Sequence, residues 1–286
     1  MPKTPHPSSN KSVLITGCSS GIGRTTAVYL AQNDFTVFAT LRKEKDAEEL
    51  RQLHQPNLIP VCPLDLSRPE DIPVVMEILR AELQRRGQAG LYALINNAGG
   101  GGVAPVELID LDVFRTELQT RLVGALALVQ ACLPLIRQGG GRIVWIATPA
   151  AIPTPYVASI HAFDFPVNGL ARTLDIELKP WHIPNILIRC GGIKTARGMQ
   201  TTAEVETILQ QPGGDLYRER LLKWSVEMAE FDQKRTEPEK VAQVILAALS
   251  APNPKRRYSV GYMSGAAAFL EALPQTLTDT ILKMRF

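Results

Sequence analysis

The sequence predicts one doubly wound α/β domain built on a parallel sheet. Short runs of continuous apolar character recur along the chain, and amphipathic helical stretches alternate with them. A strand that is apolar throughout is buried on both faces, the situation of a parallel sheet covered by helices on each side. The chain has 286 residues, 45% of them hydrophobic, with no internal repeat and no low-complexity segment. That composition supports one sizeable core.

The elements follow in order. "SVLITG" (12–17) reads as the first buried strand, followed by a Gly- and Ser-containing turn and the helical stretch "RTTAVYLAQN" (24–33). "FTVFAT" (35–40), "NLIPVCPLD" (57–65) and "LYALINNAG" (91–99) read as strands two to four. "GRIVWIAT" (141–148) and "NILIRCGG" (185–192) make the fifth and sixth. Amphipathic period marks helices over 70–86, 112–137 and 166–178. Such sheets have right-handed crossovers and take ligands beyond the C-terminal ends of their strands.

Charge and cysteine usage narrow the function classes. The net charge is +3, and the lysines and arginines are scattered. The one dense basic cluster, "PKRRY" (254–258), lies beside a turn signal and reads as solvated surface, so nucleic acid is not an expected partner. Cys18, Cys62, Cys132 and Cys190 are far apart and lack metal-ligand spacing, which predicts reduced thiols and no metal. The segment 1–10 is polar and proline-rich, is read as flexible, and lacks the apolar stretch of a signal peptide. No uninterrupted apolar run is long enough for a bilayer, and a cytoplasmic location is the expectation.

The first strand–helix junction reads "TGCSSGIG" (16–23). Gly17, Gly21 and Gly23 permit a tight turn and close backbone approach, and the helix that follows offers free N–H groups to a phosphate. The spacing G-x-x-x-G-x-G is looser than the Rossmann fingerprint, and it sits where that fingerprint belongs. "NNAG" (96–99) follows the fourth strand, "LDL" (64–66) the third, and "CGGIKTA" (190–196) the sixth. Together these motifs resemble the short-chain dehydrogenase/reductase family over about residues 11–262. "VFATLRK" and "RCGGIKTA" look most like its 17β-hydroxysteroid and retinol dehydrogenase branch. The resemblance implies a Rossmann-type nucleotide site formed by Gly17, Ser19, Ser20, Gly21, Ile22, Gly23, Asp65, Leu66, Asn97, Ala98, Gly99, Ile193 and Thr195. At the end of the second strand, where NAD-preferring members place an acid, this chain has Thr40 with Arg42 beyond it. A cation there suits a 2′-phosphate, so the expected cofactor is NADP(H).

The family's catalytic Asn, Ser, Tyr and Lys are all replaced. Aligning "RLVGALALVQACLPL" (121–135) puts Arg121 at the Asn position, and counting from "IVWIAT" (143–148) puts Ala147 or Thr148 at the Ser. Anchoring on "NGLARTLDIEL" (168–178) puts Ile160 at the Tyr and Asp164 at the Lys. A second register makes Tyr156 of "YVAS" the catalytic tyrosine, at the cost of compensating indels. If 156–164 is helical, Tyr156, Ile160 and Asp164 share a face. Pro166 leaves two readings. Either the helix begins early, with "TPY" (154–156) as cap and first turn, and kinks at Pro166, or it begins late with Asp164 as N-cap. His161 is expected to pack rather than react.

Arg121 and Asp164 carry opposite charges at positions that communicate in the family, so a direct pair is expected, either filling an abandoned site or handling protons. With Tyr156 and Thr148 they form the candidate catalytic set. A carboxylate opposes the charge that ketone reduction builds and favours an iminium, which points to reduction of a C=N group. Residues 197–231 occupy the family's substrate lid, where Met199, Leu209, Leu216, Leu221, Leu222, Trp224 and Met228 predict an apolar pocket for a bulky hydrophobic molecule. The tail 263–286 is amphipathic. The resemblance implies a homodimer through helices 112–137 and 156–178, a surface that Pro166 interrupts. The reading is an atypical NADP(H)-dependent reductase in biosynthesis, with a non-redox cyclase or isomerase, or a nucleotide-binding pseudoenzyme, as the alternatives.

Overall fold

A computed structural model describes residues 11–149, 153–196 and 201–285. Seven parallel strands form one sheet: β1 (Lys11–Ile15), β2 (Phe35–Thr40), β3 (Leu58–Val61), β4 (Ala93–Asn96), β5 (Arg142–Ala147), β6 (Asn185–Cys190) and β7 (Arg257–Val260). Their order is β3-β2-β1-β4-β5-β6-β7, with the reversal of winding between β1 and β4. Every residue of β2 and of β6 is buried, as the continuous apolar runs require.

Alternation along each strand divides the core in two. Val13, Ile15, Val37, Ile95 and Ile188 face α1 (Gly21–Gln32), α2 (Glu44–Arg51) and α9 (Pro238–Ser250). Leu14, Phe38, Leu94, Trp145 and Leu187 face α3 (Asp71–Arg85), α5 (Ala125–Gln138) and α6 (Ala158–Glu177). The sheet is thus covered on both sides, as the sequence predicts.

One helical expectation holds with a π turn inside it, and two are revised. The stretch expected at 112–137 is α4 (Leu111–Leu118), a π turn (Gln119–Gly124) and α5, which run on continuously. That 28-residue helix is long and apolar enough to cross a membrane by length and composition, with a mean hydropathy of 1.4 over its most apolar 18 residues. No single apolar run in the sequence signals this, because Glu117 and Arg121 interrupt it. The inner face of α5, including Leu128, Val129, Cys132 and Ile136, is nonetheless built into the core. The helix expected at 166–178 starts at Ala158, so Pro166 lies inside it and Asp164 is not its N-cap; Val157 is. The proposed "TPY" start fails as well. Tyr156 has a left-handed backbone (φ +67°), which costs a non-glycine residue about 1–2 kcal/mol and keeps it out of the helix.

β7 was not expected. Its four residues read "RYSV", too short and too polar to stand out, and they pair with β6 from Leu187↔Arg257 to Cys190↔Val260. The basic cluster is solvated as expected, but it leads into this edge strand, and Arg256 pairs with Asp175 at 2.8 Å. Beyond β7, α10 (Ser264–Leu270) and α11 (Gln275–Arg285) form the tail. Glu271 ties that tail to the sheet by an ion pair with the buried Arg189 of β6. All four cysteines are free, and burial pushes the Cys132 and Cys190 thiols up to about 12. Segment 1–10 and Met199 lie outside the described residues.

Candidate active site

The C-terminal ends of β1 and β4, where the winding reverses, hold the glycine-rich turn. Gly17 has φ +72°, and a methyl there would stand 2.8 Å from the Ala98 Cα. A methyl on Gly23 would stand 2.2 Å from the Gly17 carbonyl oxygen. Only glycine lets turn and helix approach this closely. Ser20 is the N-cap of α1 without a side-chain cap bond, and no acid occupies the first turn. The helix start therefore presents N–H groups and a positive dipole end that suit an anion. Ser19 and Ser20 are exposed beside it, and Ile22 is half-buried. Thr195 lies against Gly21, its methyl 3.1 Å from where a Cβ would stand.

The neighbouring motifs lock this turn. The Thr16 hydroxyl accepts the N–H groups of Asn97 and Ala98, each at 2.9 Å. The Asn97 amide donates to the Thr16 carbonyl at 2.8 Å and to the Gly17 carbonyl at 3.2 Å. Its side chain thus braces the turn rather than pointing outward. Asp65 accepts from the Ser67 N–H at 2.9 Å and hydroxyl at 2.7 Å through one oxygen. Burial pushes its carboxyl up, but those bonds and the Arg42 and Arg68 charges outweigh it, leaving it below the ordinary carboxylate range. Leu66 is buried beside it. Thr40 is buried with its hydroxyl on the Ile15 carbonyl at 3.1 Å, so its side chain offers nothing to a ligand. Arg42 is exposed. Ile193 is a core residue, and it joins the β6 loop to Thr236 through an isolated bridge. These residues fit a dinucleotide: glycines where a phosphate must approach, a helix start without a side-chain cap, and an exposed cation beyond β2.

The other half of the site lies between β4, β5, the π turn and α6. Arg121 and Asp164 meet directly, Nη2 to Oδ1 at 2.5 Å. Asp164 is 1% exposed and accepts from three donors, because beside Arg121 on Oδ1 its Oδ2 accepts the Thr148 N–H at 2.9 Å and the Thr148 hydroxyl at 2.5 Å. Arg121 Nη1 donates to the Gly100 carbonyl at 2.7 Å, and the guanidinium lies over Phe163. Its stem fills the space that a side chain on Gly99 would need. Pairing and hydrogen bonding on every side are what make a buried carboxylate tolerable. Sequence reasoning missed Glu117, which accepts from the Gly100 N–H at 3.1 Å. Its signal was the four-residue spacing to Arg121. The two side chains clamp one residue of the run Gly99–Gly102, Gly100, through its N–H and its carbonyl.

Tyr156 does not share a helix face with Ile160 and Asp164. Its ring packs edge-on against Trp224 at 5.7 Å, within the lid. Ile160 packs on Gly101. His161 accepts the Thr154 N–H at 3.2 Å and stacks on Phe165; burial pulls its pKa down, against the pull of Asp164. It packs, as expected.

The lid comprises α7 (Thr201–Leu209) and α8 (Arg218–Gln233). Leu221 and Trp224 are buried with Val205 and Ile208, and Leu209 and Met228 border them. Leu216 (79% exposed) and Leu222 face outward, so the expected pocket lining was too broad. The lid is fastened to the loop after β4, where the Val103 N–H meets Glu204 at 3.2 Å and the Tyr217 hydroxyl meets Glu107 at 2.6 Å.

Comparison with known proteins agrees with this architecture. The sequence profile described as short chain dehydrogenase matches residues 11–206. The 11-beta-hydroxysteroid dehydrogenase type 2 of Homo sapiens is 33% identical, over 98% of this chain and 71% of that protein. The 17-beta-hydroxysteroid dehydrogenase type 1 of Homo sapiens is 30% identical, over 86% of this chain and 76% of its own. Retinol dehydrogenase 5 of Mus musculus is 27% identical, over 96% and 89%. The fold is shared with a short-chain dehydrogenase from Streptomyces avermitilis (TM-score 0.76, 22% identity, 98% of both chains). It is also shared with one from Burkholderia cenocepacia solved with NADP (TM-score 0.73, 20% identity, 96% and 97% of the two chains).

Proposed function

The chain belongs to the short-chain dehydrogenase/reductase family of oxidoreductases, with hydroxysteroid dehydrogenases among its relatives, and from that premise we propose that it is an NADP(H)-dependent enzyme acting on a bulky hydrophobic small molecule through a non-standard site. The observation that carries the reading is the glycine cradle at the uncapped start of α1. Gly17, Gly21 and Gly23 would hold the pyrophosphate with the α1 N–H groups, Arg42 the 2′-phosphate and Asp65 the adenine. A nucleotide held by these residues would supply hydride chemistry to the substrate. Related folds solved with NADP or 5-hydroxy-NADP support the choice of nucleotide. Apolar lid residues around Trp224 and the hydroxysteroid relatives support a hydrophobic substrate.

Thr148, Asp164 and Arg121 replace the family's proton-handling groups, with Tyr156 at the lid boundary rather than beside the ion pair. The preference for a C=N group rested on an uncompensated carboxylate. Since Arg121 offsets Asp164, bulk charge contributes less to that preference than the sequence implied. A homodimer through α4–α5 and α6 is part of the reading, supported by exposed Leu111, Val113, Val123 and Phe165 on those elements. A cytoplasmic location belongs to it as well.

A second reading, a redox-neutral cyclase or isomerase or a nucleotide-binding pseudoenzyme, is favoured by the engagement of both Asp164 oxygens, one by Arg121 and one by Thr148, which ties that carboxylate into the structure. Calorimetric titration with NADP⁺, NADPH, NAD⁺ and NADH tests the primary reading, followed by NADPH absorbance across hydrophobic carbonyl compounds, imines and alcohols. Tight binding of the phosphorylated pair and substrate-dependent absorbance change are expected. Substrate conversion at constant NADPH would establish the second reading instead.

A further inference from the structure

The polarity of the site follows from how Thr148 spends its hydrogens. Its backbone N–H donates to Asp164 Oδ2 at 2.9 Å, and its hydroxyl donates to the same oxygen at 2.5 Å. The second distance lies in the range of a charge-assisted O–H···O⁻ bond, roughly twice as strong as a neutral one. The Arg121 guanidinium meets the other carboxylate oxygen at 2.5 Å. Thr148 is half-buried at the end of β5, so its hydroxyl oxygen keeps lone pairs on the side away from Asp164. Arg121 turns two of its N–H groups to Gly100 and Asp164, and its side chain is 12% exposed.

We propose that Thr148 is a hydrogen-bond acceptor toward the substrate, and that the recognised group therefore carries its own hydrogen: a hydroxyl or a protonated nitrogen, not a bare carbonyl. This rests on the reading that a hydrophobic small molecule enters here. A carbonyl oxygen facing Thr148 meets lone pairs. For the hydroxyl to turn and donate, it must give up a charge-assisted bond to a buried carboxylate in return for a neutral one. The exchange loses, and it leaves Asp164 short of a partner. An alcohol or an N–H⁺ needs no rearrangement. A protonated C=N acceptor qualifies on this ground, through its hydrogen rather than through its charge alone. Thr148 is thus a specificity-determining residue whose sense is set by the group behind it.

The test is calorimetric binding of a matched pair, a polycyclic secondary alcohol and its ketone, to the full chain with and without saturating NADPH. The alcohol is expected to bind about tenfold more tightly than the ketone. Thr148→Val should abolish that ratio, and Thr148→Ser should keep it. Thr148→Val retains volume, and its thermal midpoint reports folding separately. Equal or tighter binding of the ketone overturns the proposal, as does a ratio that survives in Thr148→Val. Binding of neither compound overturns both this proposal and the hydrophobic-substrate reading. Alcohol preference without nucleotide binding upholds the proposal and sinks the nucleotide reading alone.

Discussion

The two halves of the site, on either side of the β1–β4 boundary, are made of different material. The half at β1 and α1 is backbone: a turn shaped by Gly17 and Gly23, braced by Thr16 and Asn97, with N–H groups facing out. The half at β5, α6 and the π turn is side chain: Arg121, Asp164 and Thr148, each satisfied by another. A surface made of backbone tolerates few substitutions, because any Cβ collides. A surface made of side chains is rewritten by exchanging charges between helices. The motifs that carried the family resemblance in the sequence accordingly lie mostly in the first half.

Removing the buried charge is the strongest way to probe that division. Asp164→Ala leaves Arg121 without its partner and should cost about 3–5 kcal/mol of stability in urea unfolding. Nucleotide affinity of the folded fraction should stay within about threefold, because the cradle is built from other elements; a collapse in affinity would mean the halves are coupled. The paired change Asp164→Leu with Arg121→Met should recover most of the loss. Next, Gly23→Ala places a methyl 2.2 Å from a backbone oxygen that cannot retreat. Overpacking of about 1–3 kcal/mol should weaken NADPH binding by up to about 100-fold in calorimetry. Unchanged affinity would deny that the cradle is a backbone surface.

Smaller effects sharpen the picture. Arg42 is exposed, so Arg42→Ala should weaken NADPH about fivefold and leave NADH unchanged. Equal effects on both would remove the 2′-phosphate assignment. A control lies away from both halves, on α3, where hydrogen bonds from Arg85, with Arg86 beside it, outweigh burial and hold the Glu82 carboxyl at about 2 against an ordinary 4.5. Because the folded value is depressed, this contribution is present above about 4.5 and is lost as the pH falls toward about 2. Glu82→Gln should flatten that part of the acid-unfolding curve by less than about 1 kcal/mol. Its effect on ligand binding should be nil.

What the sequence disclosed follows the same line. β2 and the inner run of β6 were legible because buried strands are mostly apolar on both faces, with only Thr36 and Thr40 in β2 and Asn185 and Arg189 towards the ends of β6 as polar members. The nucleotide cradle was legible because glycine is the mark of backbone contact. β7 was not, since an edge strand of four mixed residues carries no period. Of the two readings of α6 the early start holds, with Pro166 inside the helix, but the cap is Val157 rather than "TPY", because Tyr156 takes a left-handed turn that nothing in those residues announces. The Arg121–Asp164 pair was visible only through register and opposite charge. Glu117 left only its four-residue spacing to Arg121, because its role depends on where Gly100 lies in space. In the lid, spacing could not tell Leu221, which is inside, from Leu222, which is outside.

The π turn at Gln119–Gly124 works as a phase shifter in the long helix. An α-helix advances about 100° per residue, so the residue gained in a wide turn offsets everything before it from everything after it. Ahead of the offset, Glu117 aims at the Gly100 N–H. Behind it, Leu128, Cys132 and Ile136 aim at the sheet. A helix of uniform pitch carries one azimuth from end to end and would have to sacrifice either the clamp on the glycine run or the fit of the core. The wide turn lets one continuous rod serve two masters that point in different directions.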